Sequence, residues 1–413
     1  MKRRVVITGL GAITPIGNNV KDFWNNAKNG VCGIDSIKSF DVENAKVKLA
    51  AELKNFDPRE YFDRKQVKRL DRFSHLGIAS AKEAYMDARL HEANIDNERL
   101  GVIIGNGVGG ISTIVEETSK LLNHGMHMVS PLFVPKSIPN IVAGNIAIAF
   151  NAKGLSNTII TACAAGTSAI GEAFRAIQYD DADVIMAGGS EACITPIFLA
   201  GFTNLNVLSL KNDPKRASIP FDKEREGFVM GEGAAILILE ELYHALNRNA
   251  KIYGEMVGYG ATSDAYHLTS PAPKGEGGAR AMNLALKNAS VSPEDISYVN
   301  AHGTSTPYND QSETEAIKTV FKEFAYDLPI SSTKSMVGHL LGSAGAVEAV
   351  ACIKSLEDNF IHPTIGYKAK DEICDLDYVP NKGRSVNLNY VLSNSFGFGG
   401  HNASIIFKKW EGK

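Results

Sequence analysis

A single cysteine stands between an apolar run and a small-residue segment in NTIITACAAGTSAIGEAFRAI, residues 157–177. The β-branched residues before Cys163 predict a strand, and the alanine- and glycine-rich residues after it predict a helix. Ala162, Ala164 and Gly166 leave room for a sharp turn that would expose the sulfur, as in nucleophile elbows. At a helix start, unpaired N–H groups and the helix dipole favour the thiolate and lower the pKa of the thiol. A buried core cysteine is the alternative, and this stretch alone leaves both interpretations open.

Two histidines in the second half of the chain favour the nucleophile. His302 follows an apolar run in NAHGTSTPYND, and His339 lies in STKSMVGHLLGSAGAVEA together with Lys334 and Glu348. Each histidine stands beside glycine and small hydroxyl residues. A lone histidine is more often structural than catalytic, but two at the ends of corresponding elements predict a catalytic cluster with Cys163.

Two glycine-rich turns follow predicted strands. SNSFGFGGHN would let backbone N–H groups approach a reacting oxygen, although a simple hairpin is the alternative. GNGVGG matches the dinucleotide pattern G-x-G-x-x-G at Gly105, Gly107 and Gly110. No strand ending in an acidic residue follows about 20 residues later, where ribose recognition requires one. We therefore predict a close backbone approach beneath a substrate rather than a dinucleotide site.

The composition argues against several other classes of protein. The chain has 413 residues and a formal net charge of −3, so its overall charge predicts neither nucleic acid nor an anionic membrane as a partner. No apolar run approaches the roughly 20 residues that span a bilayer. Five cysteines without a C-x-x-C pair fit a reducing cytosol and predict no metal site. His124 and His127 are interpreted as an exposed, non-metallic pair.

The apolar runs predict the scaffold that must position these groups. The first half gives strands near RVVITGL, LGVIIGN, NTIITAC, ADVIMAGG and GAAILILEE, and the second near IYGEMVGYG, ISYVNAHG, LPISSTKS, NYVLSNSF and NASIIFKK. In each half the third strand leads into a small-residue helix. This correspondence predicts a duplicated α/β fold, with the nucleophile in residues 1–250 and the histidines in residues 251–413. Residues 111–156 form an excursion that could cover the site or a dimer neighbour.

The motifs TACAAGTSA, NAHGTSTPYND, STKSMVGHLLGSAGAVEA and NSFGFGGHN, in this order and spacing, resemble the elongating β-ketoacyl-acyl carrier protein synthases, most nearly the synthase II group. The resemblance runs from RVVITGLGAITPIG to the last strand. It implies a thiolase-like fold of two mirrored α/β halves in five αβαβα layers. It also implies a cytoplasmic homodimer that acts in type II fatty acid synthesis.

The same resemblance implies a decarboxylating Claisen condensation. Cys163 accepts the acyl chain from an acyl carrier protein thioester, and His302 and His339 promote decarboxylation of malonyl carrier protein. Two imidazoles that donate N–H groups would stabilise the resulting enolate. Lys334, which the family places in its catalytic set, and Glu348 match a pair behind the histidines, to which we assign support rather than proton transfer.

The resemblance also assigns the substrate-binding positions. Backbone N–H groups of Cys163 and Phe398 would hold the tetrahedral oxyanion. Thr304 and Thr306 would bind the phosphopantetheine arm, although turn capping is the alternative for either one alone. Because the carrier protein supplies this arm, we expect no cofactor of the enzyme's own. The positions that match the acyl pocket are Val108, Phe133, Phe202, Leu341 and Phe398.

A basic stripe in DRKQVKRLDR suggests a docking surface. Lys65, Lys68, Arg69 and Arg72 stand at i, i+3, i+4 and i+7, so one helix would present all four on one face. A solvated face is the plainer interpretation. Because the carrier proteins of this family are acidic, we favour docking that weakens with salt. Asn206 stands where some synthases have another basic residue.

Several other functions compete with fatty acyl elongation. A chain-length factor, which is a silent partner subunit, usually lacks the nucleophile that Cys163 provides. A polyketide-type condensing enzyme uses the same three catalytic residue types, so the sequence leaves this alternative function open. A cysteine hydrolase would have no need to decarboxylate malonyl carrier protein. The catalytic residues of a starter synthase that uses acyl-CoA resemble a Cys-His-Asn set instead of the Cys-His-His set found here.

Overall fold

The computed structural model describes residues 2–412. The strands are β1 (Val5–Ile13), β2 (Asp35–Ser36), β3 (Leu49–Ala50), β4 (Leu100–Gly105), β5 (Ser156–Ile159), β6 (Val184–Glu191), β7 (Gly233–Glu241), β8 (Gly254–Ser263), β9 (Ile296–Asn300), β10 (Ile330–Ser331), β11 (Phe360–Ile361), β12 (Arg384–Ser385), β13 (Tyr390–Gly397) and β14 (His401–Lys409). The helices are α1 (Val20–Lys28), α2 (Arg64–Arg69), α3 (Arg72–Asp87), α4 (Ile111–His124), α5 (Phe133–Ser137), α6 (Ile141–Phe150), α7 (Ala165–Gln178), α8 (Pro196–Asn204), α9 (Pro214–Ala217), α10 (Leu242–Asn247), α11 (Glu276–Ala289), α12 (Pro307–Phe321), α13 (Lys334–Val337) and α14 (Ala344–Asp358). Between residues 2 and 412, no helix combines the length and apolar character needed to cross a membrane.

Ten strands form one sheet in the order β10-β9-β13-β14-β8-β1-β7-β6-β4-β5. The two halves meet where β1 pairs antiparallel with β8, with Val5 opposite Met256. Counting outward from this junction, each half has two antiparallel pairings followed by two parallel ones. The predicted duplicated α/β fold is therefore confirmed, and all ten predicted strands are present. The boundary proposed at residue 250 falls in the loop between α10 and β8.

Together with the two halves of the sheet, which form two separate layers, the helices make five layers in the order αβαβα. On the first half, α3 packs on β1 and β7 and α6 packs on β4, while on the second half α11 packs on β8 and β14 and contacts α12. Helices α7 and α14 contact each other between the halves. Small residues permit this contact, since a Cβ added at Gly166 would lie 2.9 Å from the backbone nitrogen of Ala346. The closely packed pair brings the starts of α7 and α14 to the same place.

Candidate active site

Cys163 lies in the turn that joins β5 to α7. The strand ends at Ile159, and residues Ala162–Ala164 form a single 3₁₀ turn before α7 begins. Ala162 has a φ of 49°, a left-handed conformation that a residue with a Cβ rarely adopts. The backbone therefore makes the sharp elbow that its small residues predicted, and the sulfur stands at its tip.

A cavity of about 460 Å³ brings Cys163 together with His302 and His339. Its wall also contains the predicted pocket residues Val108, Phe202, Leu341 and Phe398 and the predicted arm-binding residues Thr304 and Thr306. Phe198 and Phe396 add to the apolar wall. The cavity wall thus combines apolar side chains that suit an alkyl chain with the hydroxyl groups of two threonines.

The hydrogen bonds of the two histidines fix which ring nitrogen carries the proton. Their ring centroids are 5.4 Å apart and their planes are inclined by 84°. The backbone N–H of Leu341 donates to Nδ1 of His339 at 3.2 Å, and Nζ of Lys334 donates to Nδ1 of His302 at 3.4 Å. Because Nδ1 is the acceptor in each neutral ring, the proton must be on Nε2. Each imidazole therefore has an Nε2–H group to donate.

Burial and positive charge keep both imidazoles neutral. Burial lowers the pKa of His302 and that of His339 well below the ordinary value, and the ammonium group of Lys334 lowers both further. Near neutral pH both rings are thus uncharged hydrogen-bond donors rather than imidazolium ions. Such donors stabilise a developing enolate without first giving up a proton.

Lys334 and Glu348 form an ion pair behind the histidines. Both are 1% exposed, and Nζ of Lys334 donates to Oε1 of Glu348. Burial raises the pKa of Glu348, while the charge of Lys334 opposes that rise. The lysine therefore contacts both a compensating carboxylate and the imidazole of His302. This geometry fits the supporting role predicted for the pair.

The pKa of Cys163 differs from the sequence-based expectation. Burial raises the pKa of its thiol to about 12, against the lowering effects of the Lys334 charge and of the backbone N–H groups of Phe398 and Cys163. The expected lowering is wrong for the free site because loss of hydration outweighs these favourable charges and dipoles. Cys163 is therefore a thiol before substrate enters.

The turn that carries Phe398 is pressed against the elbow. A Cβ added at Gly397 would lie 2.7 Å from the carbonyl oxygen of Thr161 and 3.1 Å from the backbone nitrogen of Cys163. The backbone N–H groups of Cys163 and Phe398 both reach the Cys163 sulfur. The two donors predicted for an oxyanion thus point to one atom. This close approach of the two turns requires a glycine at position 397.

Thr304 and Thr306 lie on the loop between β9 and α12. Their hydroxyl groups hydrogen-bond to each other at 2.8 Å, and the backbone N–H of Thr306 donates to the hydroxyl of Thr304 at 3.4 Å. The pair therefore stabilises its own turn and also faces the cavity. Turn capping and substrate binding are compatible at this site.

The structure places Phe133 elsewhere than the predicted acyl pocket. Phe133 begins α5 and is half-buried outside the cavity wall, so it does not line the pocket of its own chain. It lies in the excursion of residues 111–156. A role for Phe133 in an acyl pocket therefore requires a second subunit.

The basic stripe does not occupy one helix. Lys65, Lys68 and Arg69 are exposed on α2, which ends at Arg69. The extended backbone of Leu70 and the Asp71 cap, which accepts the N–H of Phe73, start a new helix at Arg72. Arg72 donates to both carboxylate oxygens of buried Glu232 at 2.6 and 2.7 Å. The prediction of one four-residue stripe is wrong, because the cap breaks the helix and Arg72 has a structural partner.

Two buried carboxyl groups at the site were missed from the sequence. Glu313 accepts the backbone N–H groups of His302 and Gly303, each at 2.8 Å, and burial raises its pKa to about 7. Glu191 accepts backbone N–H groups beside the acyl pocket, and burial raises its pKa to about 7 as well. An acidic residue ending the apolar run ADVIMAGGSE was the available signal for Glu191. Glu313 lies in the middle of the predominantly polar helix α12, and its sequence pattern carries no such signal.

Comparison with known proteins agrees with this geometry. Residues 2–245 match the family model for the Beta-ketoacyl synthase, N-terminal domain, and residues 253–368 match its C-terminal domain. The 3-oxoacyl-[acyl-carrier-protein] synthase 2 of Synechocystis sp. is 49% identical over 411 residues, and that of Staphylococcus aureus strain N315 is 50% identical over 409, with 99% of each chain covered in both cases. A solved complex of a type II polyketide synthase acyl-carrier protein with its ketosynthase bound to the hexaketide matches with a TM-score of 0.92 and 35% identity, covering 100% of both chains. The resemblance carried by the motifs is confirmed, and the chain belongs to the β-ketoacyl synthase family.

Proposed function

We propose that this protein elongates fatty acyl chains by two carbons through decarboxylating condensation with malonyl-acyl carrier protein. The observation that carries the proposal is the cavity in which the sulfur of Cys163 meets two neutral imidazoles with Nε2–H groups. The names of the two curated relatives, both 3-oxoacyl-[acyl-carrier-protein] synthase 2, support the same reaction.

The first half-reaction loads the acyl chain. The Cys163 sulfur attacks the carbonyl carbon of the acyl thioester, and the tetrahedral oxyanion accepts the N–H groups of Cys163 and Phe398. Collapse breaks the bond to the carrier-protein sulfur, which takes up the thiol proton as it leaves. Because the Cys163 thiol has a raised pKa, substrate binding and the oxyanion donors must supply the stabilisation that the free site lacks.

The second half-reaction uses the histidines. Breaking the bond between the malonyl carboxylate and its neighbouring carbon releases carbon dioxide and leaves an electron pair in an enolate. The enolate oxygen accepts Nε2–H groups from His302 and His339. Its carbon attacks the acyl group on Cys163, forming the new carbon–carbon bond and expelling the cysteine thiolate, which is then reprotonated. The product is a β-ketoacyl carrier protein.

Carrier-protein binding belongs to the same proposal. Thr304 and Thr306 face the cavity, where their hydroxyl groups can bind the amides of a phosphopantetheine arm. Lys65, Lys68 and Arg69 give α2 an exposed basic surface that suits an acidic partner. The solved ketosynthase complex, whose partner is an acyl carrier protein, supports this assignment. The arm arrives with the substrate, so the proposal includes no cofactor of the enzyme's own.

A cytoplasmic homodimer completes the proposal. Large apolar residues in and beside the excursion are exposed, including Met126 at 84%, Ile148 at 80% and Ile160 at 54%. Strand β5 is an outer strand of the sheet, with unpaired backbone groups available to a second copy. A dimer would cover this face and could bring Phe133 to the partner's pocket. The five cysteines are all free, as expected for a reducing compartment.

The decisive experiment follows the acyl group. The protein is incubated with a long-chain acyl carrier protein and then with malonyl carrier protein, and intact mass and products are measured. We expect an acyl adduct on wild type but not on Cys163→Ala, and its disappearance as carbon dioxide and a two-carbon-longer β-ketoacyl product form. Free fatty acid without malonyl decarboxylation would instead identify a hydrolase.

A polyketide-type ketosynthase is the second candidate, favoured by the 35% identical solved ketosynthase. It would extend an unreduced β-ketoacyl product again. Incubation with excess malonyl carrier protein and no reductase separates the two functions. A single extension supports fatty acyl elongation, whereas a poly-β-keto chain supports the polyketide function.

A further inference from the structure

The chain contains a second elbow, related to the first by the internal duplication. The 3₁₀ turn Leu341–Ser343 leads into α14 as the turn Ala162–Ala164 leads into α7. Leu341 and Ala162 have the same φ of 49°. Gly342 therefore holds, in the second elbow, the place that Cys163 holds in the first. Elbows of this kind turn backbone N–H groups toward one point, which suits an oxyanion or a carboxylate.

The position facing the second elbow is occupied by Glu191, the last residue of β6. Its Oε2 accepts the backbone N–H of Gly107 at 2.7 Å and that of Gly342 at 3.1 Å. The backbone N–H of Val108 also donates to this carboxyl group, and Nδ2 of Asn106 reaches Oε1 at 3.2 Å. Glu191 is 0% exposed. One buried carboxyl group thus satisfies donors from two separate segments.

Those two segments form part of the acyl-pocket wall. Gly107 precedes Val108 and Gly342 follows Leu341, and both larger side chains line the cavity. The packing leaves no spare room, since a Cβ at Gly107 would lie 2.6 Å from Oε2 of Glu191, and one at Gly342 would lie 2.4 Å from the Gly107 nitrogen. The carboxyl group therefore sets the separation of Val108 and Leu341.

We propose that Glu191 is a positioning residue that fixes this wall and thereby sets how the enzyme discriminates between long and short acyl chains. The inference rests on the acyl-binding function proposed above for the cavity. Removing the carboxyl group leaves the N–H groups of Gly107, Val108 and Gly342 without an acceptor, and buried donors of this kind take up water. A long chain must displace that water, whereas a short chain that stops before the wall does not.

The test compares wild type with Glu191→Ala and Glu191→Gln. Condensation with malonyl carrier protein is measured for a tetradecanoyl and a hexanoyl carrier-protein primer. We expect the ratio of the two kcat/KM values, long over short, to fall about tenfold in Glu191→Ala, or about 1.4 kcal/mol. We expect about a threefold fall in Glu191→Gln, whose amide oxygen still accepts N–H groups. Primer-independent malonyl decarboxylation, which reports on the histidines, should change less than about threefold.

A matched control separates positioning from general stability. Glu240 is also 0% exposed and lies on β7, outside the cavity wall, where Arg248 and His244 bind it. Glu240→Gln should lower the melting temperature without changing the chain-length ratio. An unchanged ratio in folded Glu191 variants, or an equal shift in Glu240→Gln, contradicts the proposal. If Glu191→Ala does not fold, Glu191→Gln decides. Absence of condensation in wild type would overturn the proposed function instead.

Discussion

At Cys163, opposing influences act on one sulfur. Burial favours the thiol, and the Lys334 charge and two backbone N–H groups favour the thiolate. The sequence predicted the nucleophile because the elbow depends on small neighbouring residues. It predicted the wrong direction for the pKa of the thiol, because the sulfur is buried in a cavity whose lining residues, such as His302 and Phe398, lie far away along the chain. The local sequence pattern therefore locates the nucleophilic cysteine, whereas packing against residues distant in sequence determines whether its thiol is protonated.

The raised thiol pKa predicts how fast Cys163 reacts with iodoacetamide. A thiol whose pKa lies far above the assay pH gains thiolate about tenfold per pH unit. We therefore expect the alkylation rate to rise throughout the range from about pH 6 to about pH 9. Intact-mass kinetics measure the rate, with Cys163→Ala correcting for the other cysteines. A plateau near neutral pH would show that the helix start and Lys334 outweigh burial.

The ion pair between Lys334 and Glu348 predicts separable effects on stability and chemistry. Lys334→Met leaves the buried Glu348 charge uncompensated and should lower the free energy of unfolding by about 3–5 kcal/mol. The double variant Lys334→Met/Glu348→Met should recover most of that loss. Both should decarboxylate malonyl carrier protein slowly, because Nδ1 of His302 loses the donor that fixes its tautomer.

Denaturant unfolding and carbon dioxide release measure the two effects. Lys28→Met is a suitable control, since Lys28 pairs with Asp358 at a half-exposed position of the surface. It should change neither quantity appreciably. Decarboxylation at the wild-type rate in the double variant would mean that Lys334 serves only to neutralise Glu348.

At the scale of elements, hydrophobic periodicity was sufficient to locate the ten main strands but insufficient to predict where individual strands and helices end. Strand β5 stops at Ile159, short of Cys163, because the elbow needs a left-handed residue at Ala162. Spacing alone predicted one helix through Lys65 and Arg72. The break comes from Asp71, whose carboxylate binds N–H groups of Phe73 and, in another segment, Thr113. A tertiary contact of this kind cannot be read from spacing.

The exposed basic residues of α2 predict a salt-dependent docking site. Lys65→Glu and Lys68→Glu should each raise KM for malonyl carrier protein about threefold to tenfold, with little change in kcat, because like charges then face an acidic partner. The wild-type KM should itself increase with salt. Steady-state kinetics measure both effects. Lys82→Glu, an exposed position on α3, is the matched control.

The same variants should react normally with a small malonyl thioester that has no carrier protein. An equal loss with this small substrate would place the effect in the active site rather than in docking. Arg72→Ala is expected to behave differently, because its guanidinium group binds Glu232. Arg72→Ala should lower the melting temperature and leave the KM for malonyl carrier protein nearly unchanged.

At the scale of the whole molecule, the duplication could be predicted, and the contacts between the halves could not. The number of strands and their order along the chain follow from two matching series of apolar runs, but their order in the sheet and the pairing of β1 with β8 do not. Glu191 and Glu313 show the same limit. Each acts on backbone N–H groups that are distant in sequence or on another element, so its role emerges only after the chain has folded.

The exposed apolar face next to β5 predicts that the protein works as a dimer. Ile148, on α6, is 80% exposed, and Ile160, just beyond β5, is 54% exposed and only three residues before Cys163. Burying such side chains against a second copy contributes about 1.5–3 kcal/mol each, so Ile148→Asp and Ile160→Asp should produce monomers. Analytical ultracentrifugation measures the association, and Tyr243→Asp, an exposed position on α10, provides the control. Because the interface would adjoin the elbow and could carry Phe133 into the partner's pocket, the monomeric variants should also lose condensation of long chains. A folded monomeric wild type with full activity would show that the apolar face has another partner and that one chain contains the complete site.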